Sequence, residues 1–196
     1  MRILVIWMAG LLFIAPAIAQ NMPAGINTNV KAPEFSAQDQ NNNMVSLTSE
    51  LKKGPVVLVF YRGQWCPYCN RQLKALEDSL YLIKAKGAGL IAVSPEKPVN
   101  ISKTIDKTKA SYPILFDKGL AIMKSYDVAY SLDSATVIKY RKFGIDFTDA
   151  NGENGTNLPV PAVYIISQKG IITFRHFDPD YRKRASVSEI LMHLED

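Results

Sequence analysis

The sequence predicts an α/β sandwich, with helices on both faces of a central mixed sheet. Residues 56–61, Val-Val-Leu-Val-Phe-Tyr, form an uninterrupted apolar run that is typical of a strand buried on both faces. Strand-like and helix-like segments alternate after this run, and the chain closes with two strands joined by a short turn and then a last helix. Alternation of this kind indicates one sheet covered by helices on its two sides.

The predicted elements before residue 95 are a hairpin, a short helix and two buried strands with a long helix between them. In chain order they occupy residues 34–37 and 44–47 (the hairpin), 48–54, 56–61, 67–86 and 89–94. Thr48 or Ser49 is expected to cap the short helix. Leucines and isoleucine at three- and four-residue steps predict the long helix, which Gly87 is expected to end.

The later elements are predicted from the same patterns. Helices are expected at 98–111, 120–126 and from residue 185 to the end, and strands at 113–116, 162–167 and 171–177. The stretch in front of the last two strands is less regular. There we expect a helix over residues 131–147 and a Gly/Asn-rich loop over residues 148–157.

The chain has 196 residues, which suffice for one well-buried domain. We place this domain at residues 32–196, after a flexible lead-in at residues 20–31. The net charge of +5 is spread along the chain with both signs, and the densest basic runs, 139–142 and 182–184, are short. The composition therefore does not indicate a nucleic-acid partner.

Residues 1–19 have the pattern of a secretory signal peptide. Arg2 precedes an uncharged run over residues 3–15, and after Pro16 the triplet Ala17-Ile18-Ala19 has the small-x-small pattern of a cleavage site. The run is shorter than the roughly 20 apolar residues of a membrane-spanning helix. We therefore expect cleavage after Ala19, export to the periplasm or the medium, and no stable membrane insertion after cleavage.

Cys66 and Cys69 are the only cysteines of the chain, and they separate the strand at 56–61 from the long helix. Exported proteins often contain inert disulfides, but a bridge across two residues closes a very small loop and constrains the unfolded chain little. The spacing therefore favours a reversible dithiol, whose Cys66–Cys69 disulfide is the redox group without a further cofactor. Neither His176 nor His193 completes a zinc-ligand spacing, so no metal is expected.

The helix is expected to begin at this motif, with Cys66 as N-cap and Pro67 at the first position. Unpaired amides and the helix dipole favour a negative sulfur there. We predict that Cys66 attacks a substrate sulfur or peroxide oxygen, and that Cys69 then forms the intramolecular disulfide. Trp65 offers a flat contact surface or is simply a packed ring, and Arg62 either supports the thiolate or is a solvated charge.

A proline further along the chain adds to this motif. Val160 and Pro161 precede a predicted strand, so Pro161 is expected at the start of that strand. Together with residues 60–69, and with residues 178–181 and Arg184 before the last helix, this pair resembles the thioredoxin-like superfamily. Within that superfamily the chain is most similar to the peroxiredoxin-like branch, the alkyl hydroperoxide reductase/thiol-specific antioxidant family.

The resemblance covers roughly residues 31–196. It implies a three-layer thioredoxin-like sandwich with an N-terminal hairpin extension, an insertion before the later strand, and a cis Pro161 that sets the backbone of residue 160 beside the cysteines. Peroxiredoxins also carry a Pro and a Thr or Ser before the attacking cysteine and an Arg on a later strand. This chain instead has Val59, Gly63 and Pro161 at the matching places, which favours disulfide exchange over peroxide reduction.

Three functional hypotheses follow, in this order. The first is an exported thiol–disulfide oxidoreductase that acts on protein thiols or disulfides. The second is a thiol peroxidase that reduces hydroperoxides through Cys66 and is recycled by a dithiol reductant. The third is a non-catalytic thioredoxin-like binding module whose two cysteines only lock the fold. The first two make the chain an oxidoreductase of thiols, disulfides or peroxides.

Overall fold

The computed structural model describes residues 22–194, so the predicted signal peptide lies outside the described residues. In chain order the strands are β1 (Ser36–Gln38), β2 (Met44–Ser46), β3 (Val56–Phe60), β4 (Gly89–Ser94), β5 (Ile114–Phe116), β6 (Ala129–Ser131), β7 (Asn157–Pro159), β8 (Ala162–Ile166) and β9 (Ile172–Phe177). The helices are α1 (Leu47–Leu51), α2 (Pro67–Asp78), α3 (Leu80–Ala85), α4 (Pro98–Thr108), α5 (Ala121–Ser125), α6 (Ser134–Lys142), α7 (Phe147–Asn151) and α8 (Val187–Met192).

Five strands form the central sheet in the order β5-β4-β3-β8-β9. The strands β5, β4 and β3 run parallel, whereas β8 is antiparallel to both β3 and β9, so the sheet is mixed as predicted. Every residue of β3 and of β8 is buried, which agrees with their uninterrupted apolar sequences. The cysteine motif follows β3 and therefore begins at the centre of the sheet.

Helices cover both faces of the sheet, and the predicted three-layer α/β sandwich is confirmed. One face, with Val57 and Val59 of β3, packs against apolar side chains of α2, α3, α4 and α8. The other face, with Leu58 and Phe60, packs against α1, α5 and the N-terminal hairpin. Alternate residues of the same strand thus supply both cores, as the twofold repeat of a β-strand requires.

The predicted N-terminal hairpin is present as the antiparallel pair β1–β2. The cap of the next helix is Ser46, whose hydroxyl accepts a hydrogen bond from the Ser49 amide, so the prediction of Thr48 or Ser49 is wrong. Leu47 already has helical geometry, and the cap must lie one residue before it. The lead-in lies against the domain through an isolated bridge between Lys31 and Ile171.

The predicted long helix is divided at Ser79 into α2 and α3. Ser79 has a ψ angle of 8° and leaves the helical region, so the chain changes direction there. The apolar stripe still faces the sheet, since Leu76 of α2 and Ile83 of α3 are both buried. Gly87 has a φ angle of 74° just after α3, which confirms its predicted role as the stop.

Residues 129–159 form the predicted insertion, but not as one helix and a loop. The antiparallel pair β6–β7 frames two short helices, α6 and α7, so the expected helix over 131–147 and loop over 148–157 are wrong. The side chains of Asp133 and Asp146 each cap one of these helices. Two capping aspartates separated by thirteen positions define two helix starts rather than one.

The bond between Val160 and Pro161 is trans, since no cis peptide occurs among the described residues, and the implied cis Pro161 is wrong for this structure. Val160 and Pro161 connect β7 to β8, and the Val160 amide donates to the Val128 carbonyl at 2.8 Å. Trans is also the intrinsically favoured form by about 0.5–1 kcal/mol. Pro161 does immediately precede β8, as predicted.

Candidate dithiol site

The two cysteines lie at the start of α2, directly behind the central strand β3. Cys66 is the N-cap of the helix, and Pro67 takes its first position, as predicted. The Cys69 amide donates to Cys66 Sγ at 3.4 Å, which satisfies one of the amides left unpaired at a helix start. Local sequence therefore fixes Cys66 at the positive end of the helix dipole.

Both cysteines are free thiols, and they are hydrogen-bonded to each other. The Cys69 thiol is completely buried, whereas Cys66 retains 1% exposure and lines a pocket. A hydrogen bond between two thiols means that loss of the first proton stabilises one sulfur and makes loss of the second harder. The pair is thus arranged to hold a single negative charge, with only the Cys66 side open to a ligand.

The charge of the pair is stabilised on its buried side. Burial of Cys69 opposes ionisation, but the hydrogen bond from Cys66 and the positive charge of Arg184 outweigh it and lower the pKa of Cys69 to about 6. The pKa of Cys66 is raised, because its proton is shared with Cys69 and because it is buried. The Cys69 amide and the charge of Arg62 oppose that rise. The surroundings of the pair therefore favour negative charge on Cys69 over Cys66.

Arg184 reaches the buried sulfur from the loop before α8. Its Nη2 donates to Cys69 Sγ at 3.4 Å, while Nη1 donates to Gln72 Oε1 at 3.0 Å. The sequence motif that includes Arg184 was visible, but its contact with Cys69 was not predicted. The two residues are 115 positions apart, and no local pattern joins them.

Arg62 is 2% exposed, so the interpretation of this residue as a solvated charge is wrong. Its guanidinium lies over the rings of Trp65 and Tyr181, at 4.9 and 4.4 Å from their centroids, and Nη2 donates to the Tyr140 hydroxyl at 2.5 Å. Burial opposes its charge, but the oxygens of Tyr130 and Tyr140 offset burial and raise the pKa of Arg62. A buried cation held by aromatic faces thus stands beside Cys66.

Glu96 is a buried carboxyl group that the sequence interpretation missed. Its Oε2 accepts from the Gln64 amide at 2.8 Å, whereas Oε1 has no hydrogen-bond partner. Burial, with a smaller contribution from the charge of Cys69, raises the pKa of Glu96 to about 8. Its position just after β4 is the signal that could have found it, because the ends of neighbouring parallel strands β3 and β4 meet at one edge of the sheet.

A pocket of about 530 Å³ opens onto Cys66. One wall comes from the cysteine motif and the other from the insertion. The lining residues are Arg62, Trp65, Cys66, Pro67, Tyr68, Thr136, Lys139, Tyr140, Phe143, Ile145 and Tyr181. Trp65 packs edge to face on Tyr140 and on Phe147 of the insertion, so it is both a packed ring and part of the pocket. Val160 and Pro161 do not belong to the lining.

The described residues were also searched for metal-ligand clusters and for membrane-spanning helices. Within residues 22–194, no group of three or more His, Cys, Asp or Glu side chains is arranged to hold a metal ion. His193 instead stacks on the Phe174 ring, with 4.4 Å between the ring centroids. Over the same range, no helix combines the length and the apolar character needed to cross a membrane.

Comparison with known proteins places this arrangement in a family. The model of the AhpC/TSA family matches residues 28–175, about three quarters of the chain. The chain belongs to the AhpC/TSA family. A chloroplastic peroxiredoxin Q of Populus jackii is 28% identical over 149 residues, which cover 76% of this chain and 59% of that protein. The chain spans about half the length of the curated relatives it matches.

Solved structures of the same fold include peroxiredoxins and a disulfide-exchange protein. Peroxidoxin BcpB of Mycobacterium tuberculosis superimposes with a TM-score of 0.65 at 18% identity, covering 89% of this chain and 97% of that one. A putative thiol:disulfide interchange protein DsbE of Chlorobium tepidum gives a TM-score of 0.56 at 21% identity, covering 86% and 99%. These likenesses establish the thioredoxin-like fold.

As a member of the AhpC/TSA family, the chain departs from the peroxiredoxin pattern for a steric reason. A Cβ atom added at Gly63 would lie 2.5 Å from Trp65 Nε1 and 2.7 Å from Glu96 Oε1. Contacts this short require the Trp65 and Glu96 side chains to shift before the hydroxyl side chain that peroxiredoxins carry could stand at this place. The later-strand arginine is likewise absent at Pro161, but Arg62 and Arg184 bring positive charge to the two sulfurs from other parts of the chain.

Proposed function

We propose that this protein is a thiol–disulfide oxidoreductase that uses Cys66 and Cys69 as a two-electron couple. The observation that carries the proposal is the pair of mutually hydrogen-bonded free thiols at the N-terminus of α2, one sealed and the other facing a pocket. A sealed second thiol suits intramolecular resolution, because only Cys66 is open to a substrate. The AhpC/TSA family and the fold of the DsbE neighbour support thiol chemistry.

The reaction on a substrate disulfide has two displacements. Cys66 first gives up its proton and attacks one substrate sulfur, which forms a mixed disulfide and releases the other substrate sulfur as a thiolate. Cys69 then attacks Cys66 Sγ, which forms the Cys66–Cys69 disulfide and releases the second substrate sulfur. The substrate gains two electrons and the protein loses two. Reduction of the protein disulfide by an external dithiol closes the cycle, and the same steps in reverse oxidise a substrate dithiol.

Variants of the two cysteines test the proposal. In a protein-disulfide reduction assay, Cys66→Ser is expected to abolish activity. Cys69→Ser is expected to retain the first displacement and to accumulate a mixed disulfide, visible as an added mass on the intact protein. Wild-type protein that neither reduces a protein disulfide nor oxidises a protein dithiol would overturn the proposal.

The second function we propose is hydroperoxide reduction, which the family match and the peroxiredoxin Q relatives favour. Cys66 would attack the distal peroxide oxygen, becoming a sulfenic acid while an alcohol or water leaves, and Cys69 would displace water from that sulfur to form the disulfide. Arg62, a buried cation near Cys66, would stabilise the developing negative charge. Trapping the sulfenic acid in Cys69→Ser after peroxide treatment supports this path, and its absence argues against it.

We also propose that the protein works outside the cytosol, where the apolar stretch at residues 3–15 directs it. N-terminal sequencing of the protein recovered from the periplasm or medium tests this directly. Gln20 as the first residue is the expected result. An intact Met1 in a cytosolic fraction would contradict it.

A further inference from the structure

We propose that Arg184 is a catalytic residue of this dithiol, which holds the negative charge of the reduced pair on Cys69 so that Cys66 keeps the remaining proton until it attacks. The inference rests on the thiol chemistry proposed above and assigns the charge within it. Arg184 Nη2 lies 3.4 Å from Cys69 Sγ, the atom that closes the intramolecular disulfide. It therefore touches a reacting atom directly, and it is not among the residues that line the pocket at Cys66.

The guanidinium of Arg184 is fixed in this orientation by two further hydrogen bonds. Nε donates to the Tyr181 carbonyl at 2.7 Å, and Nη1 donates to Gln72 Oε1 at 3.0 Å. Gln72 lies on α2 three residues after Cys69, so the helix that carries the sulfur also aims the cation. Because the guanidinium is planar, hydrogen bonds to two of its nitrogens also fix the direction of the third, Nη2, toward Cys69.

The neighbouring cations show that Arg184 is placed differently. Arg182 pairs with Asp180 at 2.8 Å, and Lys183 reaches Asp178 at 3.3 Å. Both pairs lie at the surface, where ion pairs contribute little. In the part of the chain that the structure describes, Arg184 forms no ion pair with a carboxylate. The thiolate of Cys69 is thus the anion that balances it.

The other acidic groups around Cys69 are expected to be neutral near neutral pH, so that Cys69 is the anion of the cluster. Cys66 shares its proton with Cys69. Burial raises the pKa of Glu96, with a smaller contribution from the charge of Cys69. Burial, and after it the neighbouring Glu96 and Cys69, raise the pKa of Tyr61. A pKa of about 8 keeps Glu96 mostly protonated near neutral pH. The cluster therefore contains one negative sulfur, a neutral carboxyl and a neutral phenol, with Arg184 supplying the countercharge.

This distribution gives Cys69 two successive roles. As Cys66 attacks a substrate disulfide, its thiol proton passes to the Cys69 thiolate, the new sulfur–sulfur bond forms, and one substrate thiolate leaves. The Cys69 proton then passes to that substrate thiolate, and Cys69 attacks Cys66 Sγ and expels the second substrate sulfur as a thiolate. One proton and two electrons are transferred to the substrate sulfurs. Arg184 loses its anion when the disulfide closes, so it stabilises the reduced state and makes the disulfide a stronger oxidant.

The variant Arg184→Met tests this assignment. We expect the equilibrium constant with glutathione to shift about tenfold toward the protein disulfide, which corresponds to a potential lower by about 30 mV. We also expect the ultraviolet absorbance of the thiolate to appear at higher pH than in wild type. Both readouts are equilibrium properties of the dithiol and need no turnover. Their outcome therefore does not depend on whether the substrate is a disulfide or a peroxide.

Arg182→Met is the matched control, since it removes the same charge two residues away without touching sulfur. Arg182→Met is expected to leave both readouts at wild-type values. Arg184→Lys keeps the positive charge and is expected to shift both readouts less than Arg184→Met does. Should Arg184→Met not fold, Gln72→Met removes one of the groups that aim the guanidinium and should shift both readouts in the same direction by less. Unchanged readouts in Arg184→Met, or equal shifts in Arg182→Met, overturn the assignment.

Discussion

The two sulfurs of the motif are three residues apart, yet their surroundings differ in almost every respect. Cys66 opens on a pocket whose outer wall is the insertion, and α6 within that wall has no buried residue. Cys69 is one of the buried residues of α2 and contacts Arg184. One helical turn thus separates a side lined by packed aromatic rings from a side built from polar contacts.

This difference indicates a division of tasks. The open side determines which molecules reach the reactive sulfur, because about half of its lining residues come from an insertion outside the central sheet. The sealed side determines the charge state of the pair, because its cation and its buried carboxyl are held by the helices and strands of the sandwich. Changes on the sealed side should therefore alter equilibrium properties, whereas changes on the open side should alter rates and substrate choice.

The largest effect is expected from Glu96→Gln on the sealed side. Glu96 has its pKa raised from 4.5 to about 8, so the folded protein binds a proton that the unfolded chain has released between these values. Stability contributed by this proton is full below about pH 4.5 and is lost as the pH rises toward 8. A pKa difference of one between the folded and unfolded states corresponds to about 1.4 kcal/mol, so the loss is on the order of 5 kcal/mol.

Chemical unfolding across this pH range is the measurement. The amide oxygen of the variant can still accept from the Gln64 amide, and the variant should show a flatter profile and gain stability over wild type as the pH increases. Glu153→Gln, at an exposed side chain, serves as the control. If the wild type and Glu96→Gln show parallel profiles, the buried carboxyl does not titrate as described.

Arg62→Met is expected to have the next largest effect, and in a different quantity. Arg62 acts on Cys66 from the open side, so its loss should slow the first displacement by about tenfold, which is about 1.4 kcal/mol in the barrier. The equilibrium with glutathione should move less than it does in Arg184→Met, since Arg62 does not contact Cys69 through its side chain. Stopped-flow measurement of mixed-disulfide formation gives the rate.

Rate and equilibrium measured in both Arg62→Met and Arg184→Met show whether the two arginines act on different steps. Arg71→Met, which removes an exposed cation packed on the Tyr68 ring, is the matched control for charge. A slower first step in Arg62→Met at near-constant equilibrium supports separate roles for the two arginines. Equal changes of rate and equilibrium in both variants would show that the site responds to total charge alone.

The features of the fold and site that depend on residues close together in the chain could be predicted from the sequence. The buried run at β3, the cysteine motif at the N-cap of α2 and the hairpin β1–β2 all follow from local patterns, and the structure confirms them. Arg184 and Glu96 could not be placed beside Cys69 in this way, because tertiary packing brings them there from distant parts of the chain.

The predicted secondary structure of the insertion was wrong for a different reason. Its outer helix α6 buries no residue, so the apolar spacing that predicts helices elsewhere carries little information there. The informative signals were Asp133 and Asp146, which cap the two short helices. The cis form of Pro161 came from the resemblance alone, and the bond is trans in the structure.

The smallest effect is expected from Asp133→Ala on the open side. The Asp133 side chain accepts from the Thr136 amide at 2.9 Å and from its hydroxyl at 2.7 Å, and it caps a helix that has no buried anchor. Removing this cap should loosen α6, so that its amides exchange hydrogen several-fold faster while β3 stays protected. The KM for a bulky disulfide should rise modestly, because Thr136, Lys139 and Tyr140 of α6 line the pocket. The equilibrium with glutathione should stay at its wild-type value, and a shift there would show that the open side also sets the charge of the buried sulfur.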